Sequence, residues 1–273
     1  MQADISLLLI AITLGSFVYL CTTLGSASVF IIKQSTKPIY IQIAMGFSAG
    51  IMIVASIFSL LLPAIESSTA EGFSRFLPVI IGFVLGVLFL ILIDKSLPHL
   101  HLNSDVPEGP HSHLKKQFLL FNALTIHNIP EGMALGITAA ACYTQGSGMG
   151  AVLTLAVGIG IQNIPEGAAI SLPFFTGGMK RLKAFVLGSL SGIVEPIAAV
   201  LMVVLADHLT PLLPWFLAFA SGAMLYVVIE ELIPQSHGYD SEVKEPHTDV
   251  GTVSVLSGFL LMTILDNLFL TFN

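Results

Sequence analysis

Apolar residues in this chain run in long unbroken blocks, not in the two-residue alternation of strands or the one-sided stripes of water-facing helices. Charged or Pro/Gly-rich stretches separate eight such blocks, near 4–32, 39–64, 77–97, 116–141, 148–174, 181–206, 211–236 and 250–272. Each is as long as the roughly 20 residues a helix needs to cross the hydrocarbon core. The pattern therefore predicts an all-α membrane protein: one multi-pass domain over 1–273 with eight transmembrane helices. Connections are short except 98–115 and 237–249, and no soluble domain fits anywhere.

Composition agrees. Of 273 residues, 55% are hydrophobic and 10% charged, against the roughly one quarter charged in soluble domains. An isoelectric point near 5.5 and the absence of a dense Lys/Arg block exclude a nucleic-acid binder. Cys21 and Cys142 form no CxxC and read as small packing residues. The start, Met-Gln-Ala-Asp, has no cationic segment of the kind that opens a cleaved signal peptide.

Charge also sets orientation. Alternate loops share a side, and one side collects Lys33, Lys37, Lys95, Lys115, Lys116, Lys180, Arg181, Lys183 and Lys244, the other only Arg75. By the positive-inside rule both termini are expected outside the cytoplasm, with even-numbered helices running outward. Short loops suggest a bacterial inner membrane. A homodimer is left open. Small-residue pairs at Gly46/Gly50, Gly82/Gly86, Gly132/Gly136 and Gly188/Gly192 predict close helix packing.

Against this apolar background the intramembrane ionisable residues are the functional candidates. The fourth helix carries His127-Asn128-Ile129-Pro130-Glu131-Gly132 and the fifth Gln162-Asn163-Ile164-Pro165-Glu166-Gly167, identical after the first position. Residues four apart share a helix face, so His127 is expected over Glu131 and Gln162 over Glu166. Each proline removes a backbone donor, which predicts a kink and a freed carbonyl at Ile126 and Ile161. Consecutive helices run oppositely, so the motifs form an inverted repeat, an arrangement that places binding sites at the midplane.

The sixth helix adds Glu195-Pro196. Glu131, Glu166 and Glu195 together carry −3 with no Lys or Arg in the interior of their spans. Divalent cations would neutralise them, and protonation is the other route. A mixed nitrogen and oxygen site suits zinc, iron(II), manganese or cadmium better than sodium or potassium. Glu230 and Glu231, near the cytoplasmic end of the seventh helix, read equally as an exit site or a solvated helix end. Asp94 poses the same choice, and Lys95 beside it favours the interface. Asp266 reads as interfacial. Helices two and seven echo each other, Phe47, Gly50, Met52 and Ile57 matching Phe219, Gly222, Met224 and Ile229, which extends the inverted symmetry to helices 1–3 against 6–8. The cytoplasmic 98–115 loop contains His99, His101, His111 and His113, a composition typical of metal-binding tracts.

These motifs, with the eight spans, outside termini and His-bearing loop, resemble the ZIP (Zrt-/Irt-like) metal transporters along essentially the whole chain. The resemblance implies a 3+2+3 helix bundle that carries divalent metal, usually zinc, into the cytoplasm. It implies ligand roles for His127, Glu131, Gln162 and Glu166, and for Asn128, Asn163 and Glu195 in an adjoining half of a binuclear site. It implies a release route through Glu231, Asp94 and His99. Gln162 stands where many eukaryotic members have histidine, which makes the site harder. Asn163 stands where some bacterial members have an acid. No prosthetic group is implied; the expected partners are the metal ions and the bilayer.

Two rival readings compete with transport of such a metal. An intramembrane metalloenzyme is disfavoured because HExxH is absent and only one histidine lies inside the spans. A carrier or channel for magnesium or protons is separated only by which ions bind and compete.

Overall fold

The computed structural model describes residues 5–32, 38–68, 71–98, 116–145, 148–205, 212–237 and 249–270. These form eight helical rods. α1 is Ile5–Ser26 with a 3-10 extension, Ala27–Phe30. α2 runs Pro38–Val54, widens into a π-helix at Ala55–Leu61, and ends as Leu62–Glu66. α3 is Leu77–Ser96, α4 Lys116–Gln145 and α5 Met149–Thr176. α6 is broken into Arg181–Ser191 and Val194–Val204. α7 runs Leu213–Val227, widens at Val228–Leu232 and ends as Ile233–His237. α8 is Val250–Leu270.

Six helical stretches, at α1, α2, α3, α6, α7 and α8, are long and apolar enough to cross a membrane. The exterior is correspondingly apolar: Leu20, Leu24, Leu92, Ile197, Leu256 and Leu260 are all exposed. This is an integral membrane protein. α4 and α5 carry the repeated polar motif, whose polar residues are buried while Ile164 is exposed.

Prolines explain the irregularities. Pro63 and Pro234 each follow a π-helical turn, and the wider turn carries a backbone carbonyl clear of the proline ring. The two π-turns fall at matching positions of the echoing helices α2 and α7, and in that register Ser59 corresponds to Glu231. In α4 and α5 the helices continue through Pro130 and Pro165. α6 does not continue. The sequence predicts one helix over 181–206, whereas the chain breaks at Gly192 and Ile193 and restarts with Glu195 and Pro196 in the new first turn. Proline is tolerated there because the first N–H groups of a helix lack partners anyway.

The helices pack as two groups. α1, α4, α5 and α6 form one; α2, α3, α7 and α8 form the other. Within each group glycines let backbones touch. A Cβ at Gly25 would strike the carbonyl oxygen of Ile164, at Gly167 that of Thr22, and at Gly132 that of Glu195. In the second group, Gly50 meets Val255, Gly86 meets Phe219 and Gly258 meets Phe47, again at carbonyl oxygens. Among the described residues no glycine makes such backbone contact across the two groups. There, Gly158 of α5 faces the flexible Met262 side chain of α8.

Candidate metal site

Glu131 and Glu166 stand near the middle of α4 and α5, and Glu195 in the first turn of the second piece of α6. All three are buried, as are His127, Asn128, Gln162 and Asn163. The glutamates lie within electrostatic reach of one another.

Amides and hydroxyls hold two of them. Gln162 Nε2 donates to Glu131 Oε1 at 2.8 Å, joining α5 to α4. Asn163 Nδ2 donates to Glu195 Oε1 at 2.8 Å and to Thr22 Oγ1 at 3.1 Å, and the Thr22 hydroxyl donates to the same Glu195 oxygen at 3.2 Å. Asn128 Nδ2 donates to the Ser191 carbonyl at 3.1 Å, where α6 breaks. The cross-helix pair Gln162–Glu131 is thus built between the repeats, not by the i,i+4 stacking within each.

The remaining oxygens set the chemistry. Glu131 Oε2, Glu195 Oε2, Gln162 Oε1, Asn128 Oδ1 and Asn163 Oδ1 are buried without a hydrogen-bond donor. Buried acceptors lacking donors are costly and rare in folded proteins. The amide orientations follow from charge, since turning either around would set oxygen against carboxylate. Among the described residues no three His, Cys, Asp or Glu side chains are gathered tightly enough to hold one metal ion. The collected groups are instead carboxylates and carboxamides, with one imidazole.

That imidazole is paired with the other helix group. His127 Nδ1 lies 2.7 Å from Glu231 Oε2, and Glu231 Oε1 accepts from Gln235 Nε2 at 2.7 Å. Glu231 sits in the π-turn of α7 and is buried, which removes the solvated-end reading; Glu230 is exposed. Asp94 is also buried, against the interfacial expectation, although Lys95 is exposed. Asp266 is half-buried. His99, and the loop histidines His101, His111 and His113, lie outside the described residues.

Thr22 of α1 is the participant that sequence reasoning missed. Its signal is faint: Thr22 and Ser26 fall on the buried stripe Leu7, Ala11, Gly15, Val18, Gly25 of an otherwise apolar helix. A cavity of about 340 Å³ lies beside the site's helices, lined among others by Ser59 and Glu66 of α2, Thr138 and Cys142 of α4, and Ala151 of α5. Thr138 is two turns beyond Glu131 on the same helix.

A buried cluster of acids, amides and one imidazole, held by α1, α4, α5 and α6 of a membrane protein with Glu231 of the second group against the imidazole, is chemistry suited to cations, and the comparisons make the protein a transporter. The family profile described as ZIP Zinc transporter matches residues 95–266. The chain is 32% identical to human "Zinc transporter ZIP11", over 81% of this chain and 87% of the relative. It is 36% identical to "Zinc transporter GufA" of Myxococcus xanthus, over 77% and 79%. It is 33% identical to "Zinc transporter ZupT" of Chlorobaculum parvum, over 96% and 98%. The chain belongs to the ZIP family of transmembrane metal transporters.

Proposed function

We propose that the protein carries divalent transition metal, zinc foremost, into the cytoplasm by alternating access at a site between α4, α5 and α6. The observation that carries this reading is the set of buried carboxylate and carboxamide oxygens without donors, in helices whose interiors contain no Lys or Arg. A cation supplies what those oxygens lack. Cadmium, iron(II) and manganese are the natural competitors, since all accept mixed nitrogen and oxygen ligands.

His127, Glu131, Gln162 and Glu166 are the ligands in this reading, drawing closer together around the ion than they stand here, with Asn128, Asn163 and Glu195 alongside. Gln162 must turn its amide so that Oε1 faces the ion and Nε2 releases Glu131. With Glu231 ionised, His127 Nδ1 carries the proton and Nε2 keeps its lone pair as donor to metal, the usual use of a carboxylate behind a ligating histidine. Glu231 then receives the ion after release, with Asp94 and His99 further along. The cavity beside Thr138 and Glu66 is the outer vestibule, at the outward ends of α2 and α4 given by the charge count.

All eight rods span the membrane in this reading, as a 3+2+3 inverted repeat with both termini outside, in a bacterial inner membrane. α4 and α5, at 30 and 28 residues, are about 45 and 42 Å long, ample for crossing. The glycine contacts favour motion of α1, α4, α5 and α6 as a unit: each group is locked by backbone contact, whereas contacts between the groups run through side chains, among them Met262, the Ser48 hydroxyl on the Gln162 carbonyl and the His127–Glu231 pair. Radioactive zinc uptake into proteoliposomes is the test. Glu131→Ala combined with Glu166→Ala abolishes it; surviving uptake would overturn the site.

A further inference from the structure

We infer that the site holds a single cation, and that Thr22, Asn163 and Glu195 form a hydrogen-bonded latch in place of a second. The inference rests on the transport reading above. Glu195 differs from Glu131 in how it is held. One Glu195 oxygen accepts from two donors at once, Asn163 Nδ2 at 2.8 Å and the Thr22 hydroxyl at 3.2 Å. Asn163 Nδ2 also lies 3.1 Å from Thr22 Oγ1, which closes a ring of three, and the Thr22 hydroxyl has the Val18 carbonyl at 3.4 Å as a further acceptor. Its three members come from α1, α5 and α6 and are at most 1% exposed.

Charge gives the same count. One divalent cation balances Glu131 and Glu166. The remaining carboxylate, Glu195, has two oriented protein donors on its Oε1. An acid at position 163 would reverse this, since two carboxylates would compete for the one Thr22 proton and a cation would be needed between them. Asn163 does that cation's work without its charge. The ring also sits where backbones approach closely: a Cβ at Gly167 would meet the Thr22 carbonyl, and one at Gly192 the Thr22 side chain at 2.9 Å. Thr22 is therefore a positioning residue that ties α1 to α5 and α6, acting through Asn163 and Glu195 and not on the ion.

Equilibrium binding of radioactive cadmium to the full-length protein in lipid nanodiscs, paired with uptake kinetics, tests this. Relative to wild type, Glu131→Ala with Glu166→Ala loses one cadmium per chain, whereas Glu195→Gln and Thr22→Val lose none. Thr22→Val lowers the maximal uptake rate about tenfold with KM within about threefold, and Thr22→Ser restores it, as for residues behind a ligand shell. Loss of a cadmium in Glu195→Gln would overturn the inference and leave the transport site standing. An unchanged rate in Thr22→Val, or a rise in KM alone, would overturn the role of Thr22. Retention of cadmium by Glu131→Ala with Glu166→Ala would instead sink the transport-site reading itself.

Discussion

His127 and Glu231 face each other at 2.7 Å across the boundary between the two helix groups, one on α4 and the other in the π-turn of α7. Such a pair orients the imidazole while the groups are in this arrangement. It must part if they slide. Glu231→Gln keeps the shape but loses the charge that fixes the proton on Nδ1. The expected outcome is zinc KM raised about 10-fold or more, the usual cost of losing a carboxylate behind a ligating histidine. Initial-rate uptake over a zinc concentration series measures it.

Gln162 offers a test of ion preference. Replacing its hard carboxamide oxygen with an imidazole, in Gln162→His, shifts the site toward zinc and away from manganese. The expected result is a higher zinc-to-manganese ratio of initial uptake rates. An unchanged ratio would mean that position 162 does not reach the ion.

The boundary between groups predicts which cross-links stop transport. Gly158→Cys with Met262→Cys joins α5 to α8 across it, and oxidation should abolish uptake. Gly86→Cys with Phe219→Cys joins α3 to α7 within one group and should spare it, provided the close backbones accept the pair. Reducing agent should restore the first. Inhibition that reducing agent relieves in the second pair as well would count against motion between the groups.

Glycine substitutions separate backbone from side-chain contact. Gly25→Ala puts a methyl into the Ile164 carbonyl, which has no room to retreat, and should destabilise by about 1–3 kcal/mol. Gly158→Ala meets only the end of Met262, which can rotate aside, and should cost less than about 1 kcal/mol. Thermal unfolding in detergent would rank them; the reverse order would refute the two-group packing.

Much of the fold and the site is legible in the linear chain. The uninterrupted apolar blocks require helices, because a backbone in hydrocarbon must satisfy its own hydrogen bonds. The twin Asn-Ile-Pro-Glu-Gly motifs and Glu195 stand out because acids are expensive there. The GxxxG pairs do make close contacts, at Gly50, Gly86 and Gly132 among others.

Local rules failed where the answer depended on a distant neighbour. Proline left α4 and α5 unbroken, widened α2 and α7, and accompanied a break in α6, three outcomes from one residue type. Asp94 and Glu231, which looked like helix-end acids, are buried by packing that the linear charge pattern does not encode.

By itself the sequence determined the features that depend on solvent and period: helices, their membrane setting, and the residues too costly to be there without purpose. Only the tertiary structure decided the pairings: Gln162 with Glu131, His127 with Glu231, and Thr22 with Asn163 and Glu195. The reason is physical. A hydrophobic block fixes an element through its own few residues, whereas a hydrogen bond between helices depends on how the glycines let two backbones meet.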